Sequence, residues 1–322
     1  MTDPKYVYQL LLDHCASNAV IEHLMIGVVW TLCQNNHNPG IGLAMSPASH
    51  PRNLAWSGDL NGKAITDLAN WIYSWDPHQA SVALAAINSC INSQAMPETV
   101  GITTISASSN LAVFEHFLPL IQGQKVVVID HYPGIEQYQT QMELTVLERQ
   151  LQPGDLPDSA SEFLLPNADW VFLTASSLAN KTFPRLSTLA SSAKTVLMGP
   201  SLPWIPHWHE FGIDYLAGIE ILDADCLLNT VAQGGGMKIF DHAIRYRIAE
   251  LNPVSNISWL KQQISDCYAK KAQLTAEMDA WYAAGKPQRF PDYEQLETLN
   301  SRLSKLDSSY KLLWDQHHQG QD

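Results

Sequence analysis

Four short apolar runs dominate the hydrophobic pattern of the chain: Val126–Ile129, Leu144–Leu147, Val171–Leu173 and Val196–Met198. Each ends in small or polar residues, respectively Asp130-His131-Tyr132-Pro133-Gly134, Glu148-Arg149, Thr174-Ala175-Ser176-Ser177 and Gly199-Pro200-Ser201. Continuous β-branched runs of this length, separated by helical stretches, predict buried strands of a parallel sheet. In an open α/β sheet the ligand crevice lies beyond the carboxyl ends of such strands. Those four endings are the first candidates for chemistry.

The surrounding pattern fits that sheet. Helical spacing is expected over Leu111–Ile121, ended by Gly123, and over Ile135–Met142 between the first two strands. Pro153–Pro157 reads as a rigid loop, Ser159–Leu165 as a short helix stopped by Pro166, and Leu178–Ser191 as the helix after the third strand. A short helix after Pro206 leads to a fifth run, Tyr215–Ile221, interrupted by Gly218. Asp223 is placed to cap a helix to Gln233, which Gly234-Gly235-Gly236 breaks. The alternation predicts a Rossmann-like doubly wound parallel sheet over residues 101–253.

Before it, residues 1–100 read as a separate α+β module. Tyr6–Ala16 has helical spacing, Ile21–Leu32 a strand pattern with Gly27 marking a bulge or a close approach, and Ile41–Met45 a partner strand after the turn residues Asn35–Gly40. Beyond the polar loop at Pro47–Asn53, one helix is expected over Lys63–Trp75. A second runs from Asp76-Pro77 to Asn92, with Asp capping and Pro in the first turn. After residue 253 the pattern changes again. Leu260, Ile264, Cys267, Lys271, Leu274, Met278 and Trp281, and then Leu296, Leu299, Leu303, Leu306, Tyr310 and Leu313, follow a heptad. Residues 254–322 therefore predict an antiparallel helical hairpin of coiled-coil type, suited to packing, self-association or docking a protein partner.

Composition narrows the function classes. The 322 residues are 46% hydrophobic with a net charge of −13, a folded chain without the clustered Lys and Arg that nucleic acid or anionic membranes would require. No apolar run approaches the ~20 residues of a membrane span. The opening Met1-Thr2-Asp3-Pro4 lacks the basic and apolar regions of a signal peptide, and the five cysteines are scattered. A reduced, cytoplasmic protein is expected.

The dinucleotide fingerprint G-x-G-x-x-G is missing after the first strand, where Asp130-His131-Tyr132-Pro133-Gly134 stands. Glu148 ends the second strand, where a ribose-binding acid would sit, which keeps a nucleotide-type cofactor such as S-adenosylmethionine as an alternative. Thr174 and Ser176, followed by Asn180-Lys181-Thr182, offer hydroxyls and amides to an anion, or simply cap helices. Gly199, Gly218 and Gly235 allow close backbone approach, and Ser201 adds a hydroxyl beside Gly199. Asp130 and His131 are the candidate metal ligands, with Glu148 and Asp155 as further oxygen donors. His207 and His209, flanking Trp208, form no recognisable site.

These residues resemble a known family. Asn180-Lys181-Thr182, Met198-Gly199-Pro200-Ser201-Leu202-Pro203, Leu216-Ala217-Gly218 and Gly234-Gly235-Gly236 are similar to the C-terminal domain of the putative heavy-metal chelation family. Pro153–Pro157 and Pro166-Asn167-Ala168-Asp169 agree with it. Ile26-Gly27, Gly40–Ala44 and Ala85-Ala86-Ile87-Asn88 resemble its N-terminal companion domain. The resemblance covers roughly residues 5 to 250. It implies an enolase-N-terminal-like domain, a Rossmann-like domain and a cleft between them that takes a metal or a metal-chelating small molecule. Asp130 and Ala175 stand where relatives tend to have Gly, which puts bulk, and at Asp130 charge, at that cleft.

The expected ligand set is Asp130, His131, Glu148, Thr174, Ser176, Asn180, Gly199, Ser201, Gly218 and Gly235. Asp130 and His131 would hold a transition metal ion, and His131 is the best candidate acid/base should there be catalysis.

Overall fold

A computed structural model describes residues 3–15, 18–37, 40–48, 53–92, 102–105, 109–251 and 253–319. Parts of the expected turn at Asn35–Gly40 and loop at Pro47–Asn53 lie outside them. The chain makes two compact units, which divide at residue 250.

The first unit begins with α1 (Tyr6–His14), which buries Val7, Leu10 and Leu11. A three-stranded antiparallel sheet follows: β1 (Ile21–Ile26), β2 (Trp30–Asn35) and β3 (Ile41–Met45), in that order. The single strand expected over Ile21–Leu32 is therefore a hairpin. Its turn closes through the Gly27 N–H on the Trp30 carbonyl at 2.9 Å, and Val28 at the tip is 79% exposed. Two valines at a turn disguise it, because their β-branched pattern continues that of the strands. The helix expected over Lys63–Trp75 is α2 (Ile65–Ala69) continued by a 3-10 turn, Asn70–Tyr73. Next comes α3 (Pro77–Asn92), started as expected by Asp76, whose Oδ1 accepts the His78 N–H at 2.9 Å.

The main sheet has eight strands in the order β4-β11-β10-β9-β8-β5-β6-β7. They are β4 (Ile102–Thr104), β5 (Lys125–Ile129), β6 (Glu143–Glu148), β7 (Leu156–Pro157), β8 (Trp170–Thr174), β9 (Lys194–Met198), β10 (Tyr215–Ile221) and β11 (Ile244–Glu250). Between them run α4 (Ala112–Ile121), α5 (Ser161–Leu164), α6 (Ser176–Ala179), α7 (Phe183–Leu189), α8 (Ala224–Ala232) and α9 (Ile239–His242). Strands β5 to β10 pair in parallel, whereas β11 and β4 pair antiparallel. The sheet is thus mixed and parallel-rich, not wholly parallel. Strand β11 escapes the run pattern because it alternates: Ile244, Tyr246 and Ile248 are buried while Arg245 and Arg247 occupy the other face.

Two expected helices are broken. Ile135–Met142 is only a 3-10 turn, Ile135–Tyr138, enough to bury those two side chains before the chain re-enters the sheet. Leu178–Ser191 divides into α6 and α7 at Asn180-Lys181-Thr182, where Lys181 takes a left-handed conformation (φ 70°) and Pro184 helps to start a new helix. Trp30, Leu32, Ile41 and Leu43 of the small sheet share one core with Val126, Val128, Phe172 and Val196 of the large one. That shared core holds β3 against the end of β9.

The second unit consists of α10 (Pro253–Ala283) and α11 (Tyr293–Gln319), packed through Leu260, Cys267, Leu274, Leu296, Leu299, Leu303 and Leu306. The helices run antiparallel: Lys261 lies over the Tyr310 ring at 5.8 Å, and Trp281 meets Phe290 at 6.3 Å. No helix among the described residues is long and apolar enough to cross a membrane.

Candidate functional site

Strand β5 lies between β8 and β6, so the chain leaves it first to one side and later returns on the other. Such a reversal opens a crevice beyond the carboxyl ends of the central strands. Asp130 is the first residue past β5 and Thr174 the last of β8. Asp130 turns the chain in a left-handed conformation (φ 88°), which Asp tolerates better than most residues. Its Oδ2 accepts a hydrogen bond from Thr174 Oγ1 at 3.3 Å, and Thr174 Oγ1 lies 3.1 Å from Ser176 Oγ. The Tyr132 phenol lies beside the cluster, facing Gly199 at the end of β9. Gly199 has φ 112°, so only glycine fits there without strain, and an added Cβ would come within 3.9 Å of the Tyr132 hydroxyl.

Charge at the site is governed by one shared proton. Burial, then the hydrogen bond and negative charge of Glu148, push the Asp130 carboxyl up to about 7. Burial acts on Glu148 in the same direction. It is outweighed there by hydrogen bonds from Asp130 and from the backbone N–H groups of Gln150, His131 and Arg149, which hold Glu148 below the usual carboxylate range. Below about pH 7 Asp130 therefore holds the proton and Glu148 the charge. Burial also raises Tyr132, which stays a neutral donor.

Asp130 and His131 do not converge on one point. Asp130 Oδ1 accepts the His131 backbone N–H at 3.0 Å, while the His131 ring turns to other carboxylates. Nδ1 lies 3.0 and 3.1 Å from the two Asp155 oxygens, and Nε2 lies 3.2 Å from Glu136 Oε1. The sequence marks Asp155 as a nearby oxygen donor but not Glu136 or Tyr132, because nothing in the spacing of a turn tells which of its polar side chains face inward. Among the described residues no three or more His, Cys, Asp and Glu side chains are grouped to hold a metal ion. A complete protein-built metal site thus does not fit this donor set.

The other candidates make the following contacts. Glu148 accepts the backbone N–H groups of His131 (3.0 Å), Arg149 (2.6 Å) and Gln150 (2.9 Å), tying the loop after β5 to the end of β6. Exposed Asn180 closes its own turn, its Oδ1 accepting the Thr182 hydroxyl at 2.6 Å. Buried Ser201 accepts the Met45 N–H on its Oγ at 2.9 Å, and its carbonyl accepts from Asn88 Nδ2 at 2.9 Å. Gly218 makes room for the Trp204 indole, and the Gly235 N–H closes the end of α8 on the Thr230 carbonyl at 2.8 Å. Buried His207 lies with its Nδ1 3.2 Å from His14 Nε2.

The family model DUF4213 matches residues 8–91 and DUF364 matches residues 112–250, both described as putative heavy-metal chelation. A protein of Methanocaldococcus jannaschii named Uncharacterized protein MJ0500 is 26% identical over 204 residues, which cover 61% of this chain and 76% of that protein. The crystal structure of a DUF364-family protein of unknown function from Desulfitobacterium hafniense is similar with a TM-score of 0.69 and 27% identity, over 78% of this chain and 100% of that one. A second DUF364-family structure, from Pyrococcus horikoshii, shares the fold with a TM-score of 0.61 at 17% identity, over 77% of this chain and 99% of its own. With both models matched in order along its first unit, the chain belongs to the putative heavy-metal chelation family, DUF4213 followed by DUF364.

Proposed function

We propose that the first unit binds a small metal-chelating molecule, free or as its metal complex, in the crevice beyond β5 and β8. The observation that carries this reading is the contact between Asp130 and Thr174 across two adjacent parallel strands of the main sheet. A protonated Asp130 and the Tyr132, Thr174 and Ser176 hydroxyls are neutral groups that donate to ligand oxygens and also accept, and Gly199 lets backbone come close. The family description supports a link to metals, and the incomplete donor set supports a ligand that supplies its own donor atoms. An adenosine cofactor held by Glu148 fits less well, since both Glu148 oxygens already accept backbone N–H groups.

Native mass spectrometry with elemental analysis of the purified protein tests the reading, followed by thermal shift with citrate and nickel citrate as probe chelators. Wild type is expected to carry an organic adduct or to be stabilised by a probe, and the Asp130→Asn/Thr174→Val variant to do neither. Equal adducts and equal shifts in both proteins, or none in either, would overturn it.

A further inference from the structure

We infer that His131 Nε2 and Glu136 form a two-donor anchor for a borderline divalent cation such as Zn²⁺, Ni²⁺ or Cu²⁺, with Asp155 positioning the imidazole. This deepens the proposed function by locating where the metal of a chelate would attach, and it rests on different atoms from the Asp130–Thr174 crevice.

The argument is geometric. Donors about 2.1 Å from a cation sit about 3.0 Å apart at a right angle and about 3.4 Å apart at a tetrahedral one. His131 Nε2 and Glu136 Oε1 are 3.2 Å apart, within that interval, so a cation can replace the proton between them with little movement. Metal-bound histidines usually offer their second ring nitrogen to a carboxylate, which fixes tautomer and ring orientation. Here Asp155 does so, with both side chains almost inaccessible (His131 5%, Asp155 3%). Asp155 is itself held by the Gln152 N–H at 2.9 Å, and the His131 backbone by Asp130 and Glu148. Glu136, at 50% exposure, is the open side through which a cation enters. One imidazole and one carboxylate suit these ions. Two protein donors leave coordination positions for a chelating small molecule, consistent with the absence of a closed group of three or more such side chains among the described residues.

The competing reading is an imidazole hydrogen-bonded between two carboxylates with no affinity for metal. Zn²⁺ titration of the full-length, EDTA-stripped protein decides between them, read by calorimetry and by the ring-nitrogen NMR signals of His131. The expected result is a shift of the Nε2 signal on adding Zn²⁺. Glu136→Gln should weaken binding at least ~10-fold, and Asp155→Asn ~10–100-fold with a changed tautomer. Because Glu136 is exposed, its variant should melt as wild type does, which separates lost binding from lost fold. Citrate binding to the same metal-free protein reads the crevice separately from Zn²⁺ binding, so failure of one site is distinguishable from failure of the other. No Nε2 shift, or Glu136→Gln binding as tightly as wild type, would overturn the inference.

Discussion

Asp130 Oδ2 and Thr174 Oγ1 meet at 3.3 Å across the ends of adjacent parallel strands, at the point where the order of the main sheet reverses. The residues are 44 positions apart in sequence, and only the pairing of β5 with β8 brings them together. The chemistry expected of the crevice depends on that contact.

Asp130 makes stability depend on pH. Its carboxyl titrates near 7 in the fold and near 3.8 as an ordinary Asp, so the folded state holds more protons between those values. Stability from this group is complete below about pH 4 and is lost as pH rises toward 7. The opposite shift at Glu148 acts below its ordinary value of 4.5 and so leaves the loss between pH 5 and pH 8 to Asp130. Asp130→Asn removes the titration. The melting temperature of the variant relative to wild type should therefore rise from pH 5 to pH 8, and a constant difference across that range would refute the proton assignment.

Thr174→Val should move the Asp130 titration further upward. The threonine hydroxyl donates to the carboxyl and favours its charged form, so its loss favours the proton. Carboxyl ¹³C NMR of Asp130 across a pH series reads this directly. A downward or absent displacement would show that the hydroxyl points elsewhere.

Ser201→Ala should cost about 1–3 kcal/mol, because it leaves the Met45 N–H without its acceptor in a buried place. The loss should appear as a lower denaturant midpoint with an unchanged slope. Ligand-dependent stabilisation should persist, since the Ser201 hydroxyl is engaged by the Met45 N–H, fastening β3 to the turn after β9. A variant that keeps full stability but loses the ligand effect would reverse that assignment.

Gly218→Ala should be among the more damaging single-methyl additions. The new Cβ would run into the Trp204 indole, which packs directly on the glycine. Relieving the overlap means shifting a large, mostly buried side chain, at a cost of ~1–3 kcal/mol. Thermal unfolding measures the loss, and Trp fluorescence should report the displaced indole.

The sequence alone determined the parts whose information is local. Continuous apolar runs marked β5, β6, β8, β9 and β10, Asp76 and Asp223 marked helix starts, and heptad spacing marked the two C-terminal helices, because each signal lies within a few residues. The residues following β5 and β8 were legible as candidate chemistry for the same reason, since strand ends follow from strand positions. What only the tertiary structure decided depends on which way side chains face and which distant segments pair. Alternation hid β11, β-branching hid the turn at Gly27, and the antiparallel edge followed from pairing that no local pattern encodes. In the same way His131 turned from Asp130 toward Asp155 and Glu136, and Ser201 and Gly218 became packing elements, because the backbone path after each strand sets the direction of the side chain.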